Sequence, residues 1–220
     1  MDAALQCPLQ DGRSSAFHAA PCSPVAVLYA RADSNYKAME NVDVWDAERD
    51  ARNWPGGCPV IAHPPCRAWS ALAHMAKPRP DEKDLARHAV KMVREWGGVL
   101  EHPVSSRLWP DQGLPEPGAY DQWGGYTLIM PQWWFGHRAD KPTRFYIVGC
   151  PVKELPEVPF VLGVAPCVVT TSKRKCKTPP SEWRERLGTR EKEATPEKMA
   201  DWLVSVARIC RGNDRTLPTP

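Results

Sequence analysis

The 220-residue sequence lacks several features that would place a chain quickly. No apolar run approaches the roughly 20 residues needed to span a bilayer, which excludes a bundle of membrane helices. The opening stretch, MDAALQCPLQDGRSS, has no basic segment leading into an apolar one, so no secretory signal is read there. Eight cysteines are present, at positions 7, 22, 58, 66, 150, 167, 176 and 210, yet no C-x-x-C pair occurs. Scattered thiols without an export signal are expected to be reduced, as in a cytoplasm. His63-x-x-Cys66 and His18-x-x-x-Cys22 have ligand-like spacing, but no second pair completes a tetrahedral set, so no metal is expected. No internal repeat organises the chain.

Proline and tryptophan are abundant instead. Twenty-four prolines imply many irregular connections, and ten tryptophans supply aromatic surface for a core or for stacking on bases. A hydrophobic content of 42% with 25% charged residues suits a soluble globular domain. The net charge of +3 is uneven. Residues 171–215 hold twelve Lys or Arg against seven Asp or Glu, an excess of +5, which leaves −2 for the remainder. Such a segment suits phosphate contact, and a solvated helix face equally well.

Short apolar runs at 25–29, 42–45 and 59–62 read as strands. Asp81 to Trp96 reads as a helix with Leu85, Ala89, Val93 and Trp96 on one face, stopped by Gly97-Gly98. Val99-Leu100 begins another strand that ends at Glu101-His102-Pro103. Residues 103–124 read as a long loop, 125–130 and 144–149 as two more strands, and 151–180 as irregular. A final helix is expected from Thr195 as N-cap, with Pro196 in its first turn. Strands alternating with helical crossovers predict an α/β fold. The expected organisation is an irregular leader over 1–24, one catalytic domain over 25–210, and a tail over 211–220.

The chemistry concentrates in Ala62-His63-Pro64-Pro65-Cys66-Arg67-Ala68-Trp69-Ser70. Two prolines stiffen the exit of a strand and hold a thiol just past its tip, where ligands bind in open α/β sheets. A nucleophile needs such a rigid mount. A buried structural cysteine in a Pro-rich turn is the alternative. Glu101 and Arg144 lie at other strand ends expected on the same edge. A thiol, a carboxyl group and a guanidinium together suit attack on a pyrimidine: the thiolate adds to ring C6, the carboxylic acid serves N3, and the cation holds the exocyclic oxygen. His63 and His102 flank the two reactive groups as candidate proton relays.

These motifs resemble a family. Pro64-Pro65-Cys66-x-x-x-Ser70 resembles the Pro-Cys motif of the C5-cytosine DNA methyltransferases. Glu101-His102-Pro103 stands where that family has Glu-Asn-Val, and Gly125-Tyr126-Thr127-Leu128 resembles its Gly-Tyr-x-Val strand. Phe135-Gly136-His137 followed by Arg144-Phe145-Tyr146-Ile147-Val148-Gly149 resembles its Gln-x-Arg-x-Arg segment and the strand after it. Thr195-Pro196-x-x-x-Ala200-x-x-Leu203 resembles the C-terminal helix motif. The pieces fall in family order over residues 58–210. The resemblance implies a Rossmann-like, methyltransferase-type, mostly parallel sheet flanked by helices. It implies Cys66 as nucleophile, Glu101 as N3 partner, Arg144 as base-orienting cation, and S-adenosylmethionine as cofactor.

The departures are specific. The family's Phe-x-Gly-x-Gly turn after the first strand is replaced by Ala30-Arg31-Ala32-Asp33-Ser34, where side chains crowd a cofactor. In the Gln-x-Arg-x-Arg segment, Asp140 and Pro142 stand at the Gln and first Arg positions, with Lys141 as a partial substitute. The stretch between Gly149 and the last helix is too short for a separate target-recognition domain. The expectation is therefore a transferase acting on cytosine in DNA with low sequence specificity. One rival modifies a free pyrimidine nucleotide with another one-carbon donor, and another is a silent DNA-binding or inhibitor protein on a methyltransferase scaffold. Candidate nucleic-acid contacts are Lys173, Arg174, Lys175 and Lys177, with Trp134 for stacking and Ser70, which is also a candidate helix cap. A target in duplex DNA must be flipped out to reach Cys66.

Overall fold

A computed structural model describes residues 24–70, 73–169 and 184–212. The elements, in chain order, are β1 (Val25–Leu28), β2 (Val42–Trp45), β3 (Val60–Ala62), α1 (Ala73–Ala76), α2 (Glu82–Trp96), β4 (Gly98–Pro103), α3 (Leu108–Gln112), β5 (Tyr126–Pro131), β6 (Pro142–Val148), β7 (Cys167–Val168), β8 (Glu185–Arg186), α4 (Thr189–Glu193) and α5 (Glu197–Ile209). Residues 1–23 of the expected leader lie outside the described residues. The Arg211 amide donates to Gly149 O at 2.9 Å, and residues 213–220 of the expected tail lie outside the described residues.

Six strands form one mixed, mostly parallel sheet in the order β2-β1-β3-β4-β6-β5. The first four run parallel, and β6 is antiparallel to both its neighbours. The order reverses between β1 and β3, so the crevice beyond their carboxyl ends is the topological switch point. Two helices cover the sheet, one on each face. Residues of odd number on β1, β3, β4 and β6, among them Val27, Ile61, Val99 and Phe145, pack with Met199, Leu203 and Val206 of α5. Even-numbered neighbours such as Leu28, Val60, Leu100 and Tyr146 pack with Ala86, Ala89 and Val93 of α2. This is the strand period of two at work, and it fixes which residues share a face.

Helix α2 follows its predicted apolar face and ends at Gly97, whose φ of +73° is the left-handed conformation that glycine tolerates. Gly98 then starts β4 so close to β3 that a Cβ there would stand 1.9 Å from Val60 O. The Pro- and Gly-rich stretch 103–124 is not all loop, since α3 lies within it and its Trp109 is fully buried. Trp109 donates Nε1–H to Thr127 Oγ1 at 3.0 Å, which ties the turn to β5. The last helix carries no side-chain cap from Thr195; its cap position is Pro196. No helix among the described residues is long and apolar enough to cross a membrane.

Candidate active site

The turn after β3 is held from three sides. His63 N–H donates to Leu28 O at 3.0 Å and so prolongs the parallel pairing past the strand end. Trp69 is buried against the α2 face, its amide donates to Cys66 O, and its carbonyl accepts from Arg107 N–H at 2.9 Å. Arg67 pairs with Glu82, a fully buried carboxylate in the first turn of α2. Ser70 O accepts the Ala73 amide at 3.1 Å, so it sits at the entry of α1. With its neighbours anchored, Cys66 is left exposed at the sheet edge. The protein packed around Sγ still pushes its thiol above the ordinary value. The Glu101 carboxylate adds to that push, and the Lys141 charge opposes it.

Glu101, on the α5 face of β4, is the most constrained group at this edge. Its Oε2 lies 3.2 Å from His63 Nδ1, and its Oε1 accepts from Gln132 Nε2 at 3.1 Å. Gln132 also donates to Thr143 Oγ1 at 3.2 Å. His63 Nε2 in turn lies 3.0 Å from the hydroxyl of Tyr36, a fully buried ring in the turn after β1. Burial alone would raise the Glu101 carboxyl. The hydrogen bond from His63 and the charge of Lys141 overcome it and hold the group down at about 2. Glu101 therefore rests ionised, with two of its roughly four lone-pair sites taken.

Lys141 is the cation of this edge. It precedes β6 with φ +42°, a strained conformation for a side-chain-bearing residue, of the kind that clusters at functional sites. Burial lowers its ammonium below the ordinary lysine value, while Glu101, Cys66 and Glu193 work to restore it. Above it runs a rim of ion pairs. Arg31 Nη1 meets Glu193 Oε2 at 3.1 Å, and Arg190 Nη2 meets Asp33 Oδ2 at 3.1 Å, joining α4 to the exit of β1.

Arg144 does not join this site, which corrects the expected trio. It pairs with His102 across β4 and β6, whereas Glu101 pairs with Phe145, so alternation puts Arg144 on the opposite face. There its guanidinium stands 5.4 Å from the Trp109 ring and bonds Glu116 Oε1 at 3.1 Å. Trp134 is partly buried in the α5-face core with its ring edge-on to Phe160 at 4.9 Å, so that pairing covers part of the surface expected to stack on a base. Lys173, Arg174, Lys175 and Lys177 lie outside the described residues. Tyr36, Gln132 and Thr143 are members of the site that motif reading did not pick out.

The glycine turn that the resemblance associates with S-adenosylmethionine has no counterpart at the exit of β1. No glycine stands between Leu28 and Tyr36. The one left-handed position there, at φ +62°, is Tyr29, whose hydroxyl lies 2.7 Å from His88 Nδ1. Further along the same exit, the ring of Tyr36 is buried and its hydroxyl meets His63. These residues do not form the glycine cradle of S-adenosylmethionine. Among the described residues no group of three or more His, Cys, Asp or Glu could hold a metal ion. Comparison of the chain with protein-family models, curated proteins and solved structures finds no match.

Proposed function

We propose that this chain is a C5-pyrimidine-modifying enzyme that works by covalent addition of Cys66 to ring C6, with cytosine in DNA as its substrate. The observation that carries the reading is the grouping of Cys66, Glu101 and Lys141 at the switch-point edge, with Glu101 fixed by His63 and Gln132. The methyltransferase-type sheet remains part of this proposal, supported by the mostly parallel order with its reversal between β1 and β3.

The resting protonation states set the direction of proton flow. Cys66 holds its proton and Glu101 has none, so the sulfur cannot attack until the proton leaves. Glu101 receives it and delivers it to N3 as the S–C6 bond forms and the C5=C6 double bond opens. The S–H bond breaks, an N3–H bond forms, and the net charge of site plus base is unchanged. The Lys141 ammonium faces the exocyclic oxygen and stabilises charge that develops on the ring. C5 is now nucleophilic, and reversal of the addition restores the aromatic base. None of these steps uses a donor held at the β1 exit.

The test follows from that independence. In D2O the adduct takes deuterium at C5, and reversal leaves it there in exchange for hydrogen. Single-stranded DNA containing cytosine and free dCMP are incubated separately, and deuterium at C5 is read by mass spectrometry. Exchange in DNA that Cys66→Ser abolishes supports the reading. Exchange in dCMP alone promotes the free-nucleotide rival, which the glycine-free β1 exit favours because it points to a different donor. Absence of exchange in both overturns nucleophilic catalysis. Binding to DNA is steeply salt-dependent under this reading, and neutralising Lys173, Arg174, Lys175 and Lys177 flattens the slope of log affinity against log salt.

A further inference from the structure

We propose that His63 and Tyr36 are positioning residues that lock a single hydrogen-bonding chain, Tyr36 O–H to His63 Nε2 and His63 Nδ1–H to Glu101 Oε2, and thereby aim Glu101 between Cys66 and the base. The inference rests on the reading above for its catalytic consequence, but its structural content stands on three atoms in a row. An ionised carboxylate only accepts hydrogen bonds, so the Nδ1 atom facing Glu101 carries a proton. A neutral imidazole then has a bare Nε2, which accepts from the Tyr36 hydroxyl 3.0 Å away. Tyr36 keeps that proton, because burial raises its hydroxyl well above the ordinary value, with Glu101 and Asp201 adding to the effect.

Two groups face the His63 ring nitrogens, Tyr36 from the turn after β1 and Glu101 from β4. Lys141, at the entry of β6, and Cys66, in its own turn, act on Glu101 and on each other. Asp201 of α5 stands behind Tyr36, while Arg31 and Glu193 close the rim. Glu101 has Gln132 on its other oxygen, so the two donors together leave one rotation for the carboxylate. A carboxylate free to turn would meet sulfur and N3 only part of the time, and positioning of this kind acts on the chemical step more than on binding.

Two measurements test the proposal. The first is the ¹⁵N signature of His63 in the intact protein near neutral pH. The Nδ1–H tautomer is expected, and Tyr36→Phe is expected to release it to a mixture. A dominant Nε2–H tautomer in the wild type overturns the proposal whatever the protein's activity. The second is C5 exchange in D2O. His63→Asn, whose amide nitrogen falls where Nδ1 lies, is expected to keep most of the rate. His63→Gln, whose nitrogen reaches the Nε2 position instead, is expected to lose about 100-fold in kcat with KM little changed. Tyr36→Phe is expected to lose about threefold to tenfold, the worth of one hydrogen bond. Equal rates for His63→Asn and His63→Gln overturn the positioning role while wild-type exchange keeps the C6-addition reading intact. Wild-type protein without exchange fails that reading itself, and with it the catalytic half of this one.

Discussion

Glu101 and His102 are adjacent on β4, yet the sheet sends them to opposite environments. Glu101 faces α5 at the open edge, among His63, Gln132 and Lys141, and its carboxyl is held down at about 2. His102 faces α2 and is fully buried; burial pushes its ring down to about 4, with Glu101 and the Pro65 backbone opposing. Both shifts are downward, but for opposite reasons. Around Glu101 the surroundings favour the charged form. Around His102 they forbid it. One step along a strand therefore separates a group kept ready for proton transfer from a group kept neutral by packing.

The largest effects are expected on the Glu101 side. Cys66→Ser removes the nucleophile and is expected to bring C5 exchange to background, because a hydroxyl is far less nucleophilic than a thiol near neutral pH. Glu101→Gln still accepts and donates hydrogen bonds but cannot carry a proton, and a loss of about 100-fold or more is expected. Both variants are expected to keep the wild-type far-ultraviolet circular dichroism. Full exchange activity in Glu101→Gln would move the proton carrier elsewhere.

The two cations sharpen the comparison. Lys141 lies on the Glu101 side and Arg144 on the His102 side. Lys141→Gln is expected to cost about 100-fold in exchange, in the range for removing one preorganised charge partner. Arg144→Gln is expected to change the rate less than about threefold, as suits a residue away from the chemistry. The reverse order would mean that Arg144 reaches around the edge to the base.

That pair of residues also marks where reading the sequence stops. The apolar runs of β1, β2 and β3 and the periodic face of α2 carry their own signal, because burial on both faces or on one stripe dictates composition. Cys66 and Glu101 were legible because a stiff Pro-Pro turn and a strand end both announce themselves. Which of Thr143, Arg144 and Phe145 shares a face with Glu101 depends on the register Glu101↔Phe145, and no local pattern encodes a register between antiparallel strands 44 residues apart. Tyr36 and Gln132 sit in single 3-10 turns, where no period points them inward. Helix α3 was hidden by composition, since Pro110 is tolerated in its first turn and Gly113 ends it at φ +56°.

Stability against pH probes the His102 side. The unfolded chain protonates this histidine near 6.5, while the folded protein resists until about 4. As pH falls, the unfolded state takes up the proton first, so stability is present above 6.5 and lost between 6.5 and about 4. The shift corresponds to about 3 kcal/mol at 1.36 kcal/mol per unit. His88 and His137 are also pushed down by burial and share that window, so His102→Leu is expected to reduce its slope in urea titrations at successive pH values. The Glu101 window, in which stability falls as pH drops from 4.5 towards about 2, is expected to survive in the same variant. A wild-type profile flat from 6.5 to 4 would place His102 in contact with water.

The smallest effect belongs to the ion pair between Arg144 and Glu116. Its oxygen lies 3.1 Å from the guanidinium, but the Glu116 side chain is 66% exposed. Water and salt screen such a pair, and its net worth is expected to be below about 1 kcal/mol. The guanidinium carbon also stands over the Trp109 ring, 5.4 Å from its centre, with the Arg144 side chain only 16% exposed. Glu116→Gln is therefore expected to shift the urea midpoint only slightly, to lose even that shift at high salt, and to leave C5 exchange at the wild-type rate. A drop in exchange for this variant would connect the α2 face to the chemistry and erase the division that alternation along β4 and β6 draws.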